Sequence, residues 1–353
     1  MRAPTCAGVR VALRLQYPGR WGVLIRGKMT LHFGLSEFLH CKSAADGAPE
    51  VQEIGGYFYG PGFWTAFAAI LAKRQVPYSA IKFSAKDAEQ YAQAIGLPVV
   101  LGEKDNYPYQ RVNEGKNYSR LVLLESAQTT DAANTSVAGC VRHLFKNHIE
   151  LAPFSQDLIE VIGDLHDNVW SHGKSTGFSM AQLFARNGAR ERCEFALADC
   201  GYGFLRELHR VGKSDITTHA QAIEWCIQKG NSSKRLKAED PWEQRLPEDA
   251  MFNPIPGLAR AKEQENHHMG LGLAKLTALV QKYGGTLTLA TGDTLFSINS
   301  GGRTVYRSLP TQWPGVALAC RFDTTRIKER LAAAEVPDEL TDELVRLLSE
   351  AGP

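Results

Sequence analysis

The apolar positions of this chain change period several times, and each change marks an element. Residues 63–75, "FWTAFAAILAKRQ", carry apolar side chains at helical spacing, and 85–96, "AKDAEQYAQAIG", reads as a second helix closed by a glycine. Between them "YSAIKFS" (78–84) reads as a strand, and "LPVVLG" and "SRLVLLE" are further strand candidates. Polar loops are expected at 103–119 and 126–136. Residues 137–149 and 155–173 then read as helices. "TGFSMAQLFAR" and "ERCEFALAD" flank Asn187-Gly188, a dipeptide favoured in two-residue hairpin turns. A long polar stretch over 204–266 precedes the helix "MGLGLAKLTALVQKYGG" (269–285). The runs "TLTLAT", "TLFSIN", "TVYRSL" and "GVALACRF" follow as antiparallel strands, and an amphipathic helix ends the chain.

This succession predicts an α+β protein. A C-terminal domain over 131–325, helices on a mixed and largely antiparallel sheet, follows a smaller α/β domain over 29–130, with the boundary in the 126–136 loop. A length of 353 residues favours two domains over one core. Residues 1–28 read as a flexible leader: basic, and interrupted by arginines and a proline before a secretory apolar region forms, with Met29 as a second plausible start. Residues 326–353 form a helical tail whose Leu340, Leu344, Leu347 and Leu348 share one face, open to docking on its own domain or to a homodimer.

Charge removes some partners. With 40 basic and 38 acidic residues the net charge is +2, which argues for neither nucleic acid nor a membrane surface. No run approaches the roughly 18 apolar residues of a membrane span, so the cytoplasm is the expected compartment. Seven cysteines lie scattered without a CxxC pair and read as reduced thiols, not as disulfides or a zinc site.

Three stretches carry candidate chemistry. In "ADCGYGF" (198–204), Asp199 ends an apolar strand, where a carboxylate is costly unless hydrogen-bonded, and Gly201 and Gly203 allow close approach to the backbone. On the 155–172 helix, Leu158, Val161, Ile162, Leu165 and Val169 form an apolar face. Asp164, Asn168 and His172 form a stripe roughly 80° from its centre, on the flank of the core where a helix lines a pocket. In "HHMGLGLAKL" (267–276), Gly270 and Gly272 stand where a loop becomes a helix, and unpaired N–H groups there suit an anion.

Taken in order, a carboxylate–x3–Asn–x3–His helix, a strand ending in DxGxG, a long polar insert and a GLGL helix start resemble the GHKL ATPases over roughly 133–325. That family includes histidine kinases, anti-sigma serine kinases, gyrase, Hsp90 and MutL. The resemblance implies a Bergerat-type sandwich with an ATP lid over 204–269. Asp199 would accept the adenine amine while Gly201 and Gly203 let the ring lie on the backbone. Asn168 would hold Mg²⁺, and Gly270, Leu271, Gly272 and Leu273 would form the phosphate-side glycine box. His172 would border the phosphates, with Ser232, Ser233 and Lys234 as lid contacts, "AIEWCIQKGNSSKR" being similar to the lid of kinase-like members. "VQKYGGTLTLATG" matches the helix–Gly-Gly–strand that follows.

The expected function is an Mg-ATP-dependent conformational switch with slow ATP hydrolysis, acting through a protein partner. Asp164 stands where many hydrolysing members carry glutamate, one methylene longer, so binding is better supported than turnover. The alternatives are a protein serine or histidine kinase of the anti-sigma type and a module that binds ATP without turnover. "KNHIELAPF" resembles a phospho-acceptor histidine segment, but His148 lies only 16 residues before Asp164, which favours an ordinary helix-end histidine. His267 and His268 form no metal-ligand pattern. The N-terminal unit resembles the second half of STAS domains. Where that family places its phospho-acceptor serine the chain reads "FYGPGFWTAF", with Gly60, Pro61, Gly62 and Thr65 and no serine.

Overall fold

A computed structural model of the protein describes residues 32–40, 53–54, 58–169, 175–184, 191–228, 231 and 272–334. Its N-terminal elements are short: β1 (His32–Phe33), α1 (Leu35–His40), β2 (Glu53–Ile54), β3 (Phe58–Tyr59), α2 (Pro61–Lys73), β4 (Lys82–Phe83), α3 (Lys86–Ala94) and α4 (Leu97–Val100). Then come β5 (Val122–Leu124), α5 (Ala127–Phe145), α6 (Ala152–Asn168), β6 (Gly177–Phe184) and β7 (Arg192–Asp199). The described chain closes with α7 (Gly203–Arg210), α8 (His219–Ile227), α9 (Gly272–Lys282), β8 (Thr286–Ile298), β9 (Thr304–Asp323) and α10 (Thr324–Ala334).

The architecture is α+β. Five strands form one antiparallel sheet in the order β5-β6-β7-β9-β8. Alternation along β7 assigns its two faces. Cys193, Phe195 and Leu197 join a core built with α5, α6 and α9, in which Leu158, Val161, Ile162, Leu165 and Val169 of α6 are all buried as their spacing predicted. Ala196 and Ala198 look the other way, onto α2, which is buried on nearly every side.

Small side chains explain this second layer. Ala198, Ala317 and Ala290 are cross-strand neighbours, as are Ala196 and Ala319, so a flat alanine patch lets α2 lie close to the sheet. Close to Ala319, a Cβ on Gly62 would stand only 2.9 Å from its methyl. The buried Glu194 carboxylate anchors the end of α2 by accepting the Gly62 N–H at 2.9 Å, and Arg321 donates to it from β9 at 2.9 and 3.1 Å. Around this contact Phe63, Trp64, Phe67 and Tyr59 pack ring against ring. Thr65 is fully buried and donates its hydroxyl to the Pro61 carbonyl, 3.0 Å away.

Several local expectations are corrected. "LPVVLG" is not a strand: Gly96 takes a left-handed φ of +82° and ends α3, and Pro98 in the first turn then starts α4. "YSAIKFS" holds one tight helical turn at Tyr78–Ala80 and the two-residue strand β4. Residues 126–136 are no loop. Ser126 accepts the Thr129 N–H and Thr129 reciprocates, a capping box that begins α5 ten residues earlier than its apolar pattern suggested. The four C-terminal strand runs fuse into two long strands with register irregularities at Ala290/Gly292 and Gly292/Thr294. The start of the 204–266 polar stretch contains helices, α7 and α8. The leader, the Asn187-Gly188 turn, His267, His268 and the leucine-bearing tail lie outside the described residues, and among the described residues no helix is long and apolar enough to cross a membrane.

Candidate functional site

Strand β7 ends at Asp199, whose side chain is 4% exposed. Its Oδ1 accepts the Gly201 N–H at 2.7 Å, and the Val316 amide also bonds to the carboxylate. Burial nevertheless pushes this carboxyl up to about 6, the two amide bonds opposing the rise. The main chain of the same residue is pinned from β9, where the Trp313 indole donates to the Asp199 carbonyl at 3.0 Å.

Two residues without side chains let the backbone pack tightly around this carboxylate. Gly315, in the irregular part of β9, faces Asp199 so closely that a Cβ there would run into the carboxylate. Gly203 starts α7 with a φ of +67°, and a Cβ on it would meet the Thr291 hydroxyl at 2.8 Å and the Gly315 carbonyl at 3.1 Å. Thr291 is fully buried, and its Oγ1 has no hydrogen-bond partner among the described residues. A buried carboxylate, bare backbone and an unused hydroxyl thus converge at one place. The carboxylate can accept a hydrogen bond, and the hydroxyl can donate or accept one.

The second half of the site lies at the end of α6. A Cβ on Gly272, the first residue of α9, would stand 3.0 Å from Asn168 Nδ2 and 3.2 Å from Asp164 Cβ. The first turn of α9 therefore rests against the Asp164/Asn168 stripe, which faces the positive end of an 11-residue helix. Leu273 points away into the core with α6. Asp164 is 4% exposed, and Lys275 of α9 reaches its Oδ2 with Nζ at 2.7 Å. Asn168 presents its Nδ2 to Gly272, and its side-chain oxygen is of the neutral type a hard divalent cation takes.

Val169 joins the two halves. It packs on Gly177, which pairs with Asp199 across β6 and β7, so the residue after Asn168 touches the cross-strand neighbour of the buried carboxylate. Of the residues singled out in the sequence, Asp164, Asn168, Asp199, Gly201, Gly203 and Gly272 are described and belong to these two clusters, while Leu273 packs into the core. His172, Ser232, Ser233, Lys234, Gly270 and Leu271 lie outside the described residues. His148 sits between α5 and α6, about 25 Å along α6 from Asn168, with Glu150 and Glu191 at 3.6 and 3.7 Å.

Sequence reasoning missed Lys275, Thr291, Gly315 and His166. Lys275 follows Gly272 by three residues, a spacing that puts it on the same helix face, so its signal was present and unused. His166 carries no such signal. Fully buried, it holds Asn134 Oδ1 at 2.7 Å and Ser179 Oγ at 2.8 Å, and burial lowers it to about 3, which keeps the ring neutral. It ties α6 to α5 and β6 two residues from Asp164. Comparison with protein-family models, with curated proteins and with solved structures returns no match to this chain.

Proposed function

We propose that this chain binds adenine nucleotides with Mg²⁺ in a GHKL-type site and acts as a nucleotide-dependent conformational switch toward a protein partner. On this reading the sheet with α5, α6 and α9 on one face is a Bergerat-type sandwich, and the STAS-like N-terminal segment is its second layer. The observation that carries the proposal is the seating of Gly272 on Asn168 and Asp164. It sets a helix start against an asparagine and a carboxylate from segments more than 100 residues apart in the chain, the arrangement that supports the reading.

The roles follow from the chemistry of each group. Asp199 and Thr291 bind the base: adenine offers an N–H₂ donor to the carboxylate where guanine would present a carbonyl. Gly203 and Gly315 offer bare backbone for the ring to lie against. The α9 amides hold phosphate oxygens, and Asn168 contributes one ligand to Mg²⁺, which neutralises phosphate charge when bound. Asp164 is the acceptor for the proton of an attacking water. As that water bonds to the terminal phosphorus, the bond to the bridging oxygen breaks and ADP leaves with it. Lys275 holds this acceptor in an ion pair, which supports slow turnover and, as a second reading, binding without turnover.

Calorimetry on the full chain with magnesium tests the proposal. Adenosine nucleotides should bind and guanosine nucleotides should bind at least tenfold more weakly, with Asp199→Ala removing roughly 1.5–3 kcal/mol of adenosine affinity. Equal affinity for the two bases would end the nucleotide reading, and release of labelled phosphate then separates hydrolysis from simple binding.

A further inference from the structure

Lys275 carries a charge that the core does not need. Its side chain is two-fifths exposed, yet its ammonium lies 2.7 Å from Oδ2 of a carboxylate that is almost wholly covered. It stands one turn after Gly272, on the face of α9 that meets α6, with the helix start about 5 Å up the axis. A four-carbon stem with three donors at its tip spans that distance by rotation alone. The ammonium therefore has two anionic places within reach: the carboxylate it holds now, and any anion bound at the start of α9.

We propose that Lys275 is a phosphate-binding residue held in reserve on Asp164, passing to the terminal phosphate of a bound nucleoside triphosphate and releasing the Asp164 carboxylate only when that phosphate is present. The inference rests on the nucleotide reading and deepens it, since the site would then sense the third phosphate through a cation of its own chain. A diphosphate leaves the pair closed. A triphosphate exchanges one charged partner of the lysine for another, and the carboxylate faces the phosphate as a proton acceptor.

The test is the ratio of ATP to ADP affinity, measured by calorimetry on the full chain with magnesium. In Asp164→Asn the lysine loses its competitor, so the ratio should rise several-fold above wild type. In the double variant Asp164→Asn/Lys275→Met, which strands no buried charge, the ratio should fall about tenfold or more below that of Asp164→Asn, the equivalent of one charged hydrogen bond. Lys275→Arg should keep most of the preference. If the double variant does not fold, Lys275→Gln should lower the ratio below that of wild type. A purely structural ion pair predicts one unchanged ratio in every variant, and that result overturns the inference while leaving nucleotide binding intact. A wild-type chain that binds neither nucleotide overturns both.

Discussion

The Trp313 indole donates its N–H to the main-chain carbonyl of Asp199 across 3.0 Å, so the strand end that carries the buried carboxylate is fastened by the irregular strand that covers it. Trp313 is itself buried, against Phe38 on the α2 side of the sheet. The position of Asp199 is thus held from the layer opposite to α6.

Replacing that donor should be felt at both places. Trp313→Phe keeps a ring but leaves a buried carbonyl without its partner, which costs about 1–3 kcal/mol of stability. Urea unfolding should show the loss, and adenosine binding should weaken with it. A variant as stable as wild type would mean that the indole contact carries no weight.

Asp199 should make adenosine binding depend on pH. Burial raises its carboxyl from 3.8 to about 6, so the fold favours the protonated form. Stability from this group is full below about pH 4 and is lost as pH rises through 6, a cost of roughly 3 kcal/mol at neutrality. A ligand that donates to the ionised carboxylate reverses the preference. Adenosine affinity should therefore fall as pH drops through 6, and Asp199→Asn should abolish the dependence. Adenosine serves better than ATP because it carries no phosphate that titrates in this window.

His166 has the opposite sign. Its ring is lowered from 6.5 to about 3 by burial, so the stability it contributes is full above pH 6.5 and is lost as pH falls toward 3. His166→Gln should be less stable than wild type at pH 7 by about 1–3 kcal/mol, through the lost bonds to Asn134 and Ser179. The difference should shrink by pH 4. Denaturant titrations of both proteins at pH 7, 5 and 4 would show it, and a constant difference would contradict the assignment.

Glu194 should control the attachment of α2. Its carboxylate accepts from Gly62 and Arg321 and is 1% exposed, so Glu194→Ala strands the buried Gly62 amide and removes a carboxylate partner of Arg321, at roughly 2–4 kcal/mol. Trp64, fully buried against the same layer, reports the event. Its emission should shift to the red in the variant at denaturant concentrations where wild type is still native.

Local spacing was enough for the elements whose signal is local. The apolar face of α6, the antiparallel pair β6 and β7 beside Asn187-Gly188, the helix at 63–75 and the position of Asp199 at a strand end all follow from periods of 3.6 or 2 and from turn residues. Where two local signals competed, the weaker-looking one won. The Ser126–Thr129 capping box outweighed a polar composition, and Gly96 with Pro98 outweighed an apolar run.

The contacts that make a site of these parts have no local trace, because they join residues far apart in the chain. Lys275 meets Asp164, Gly315 clears space for Asp199, Glu194 receives the end of α2, and alanines on three strands accept a second helical layer. Each residue type is ordinary where it stands. Only packing, which brings close whatever has complementary shape and charge, turns an isolated lysine into the partner of a buried carboxylate and a missing Cβ into a close backbone contact.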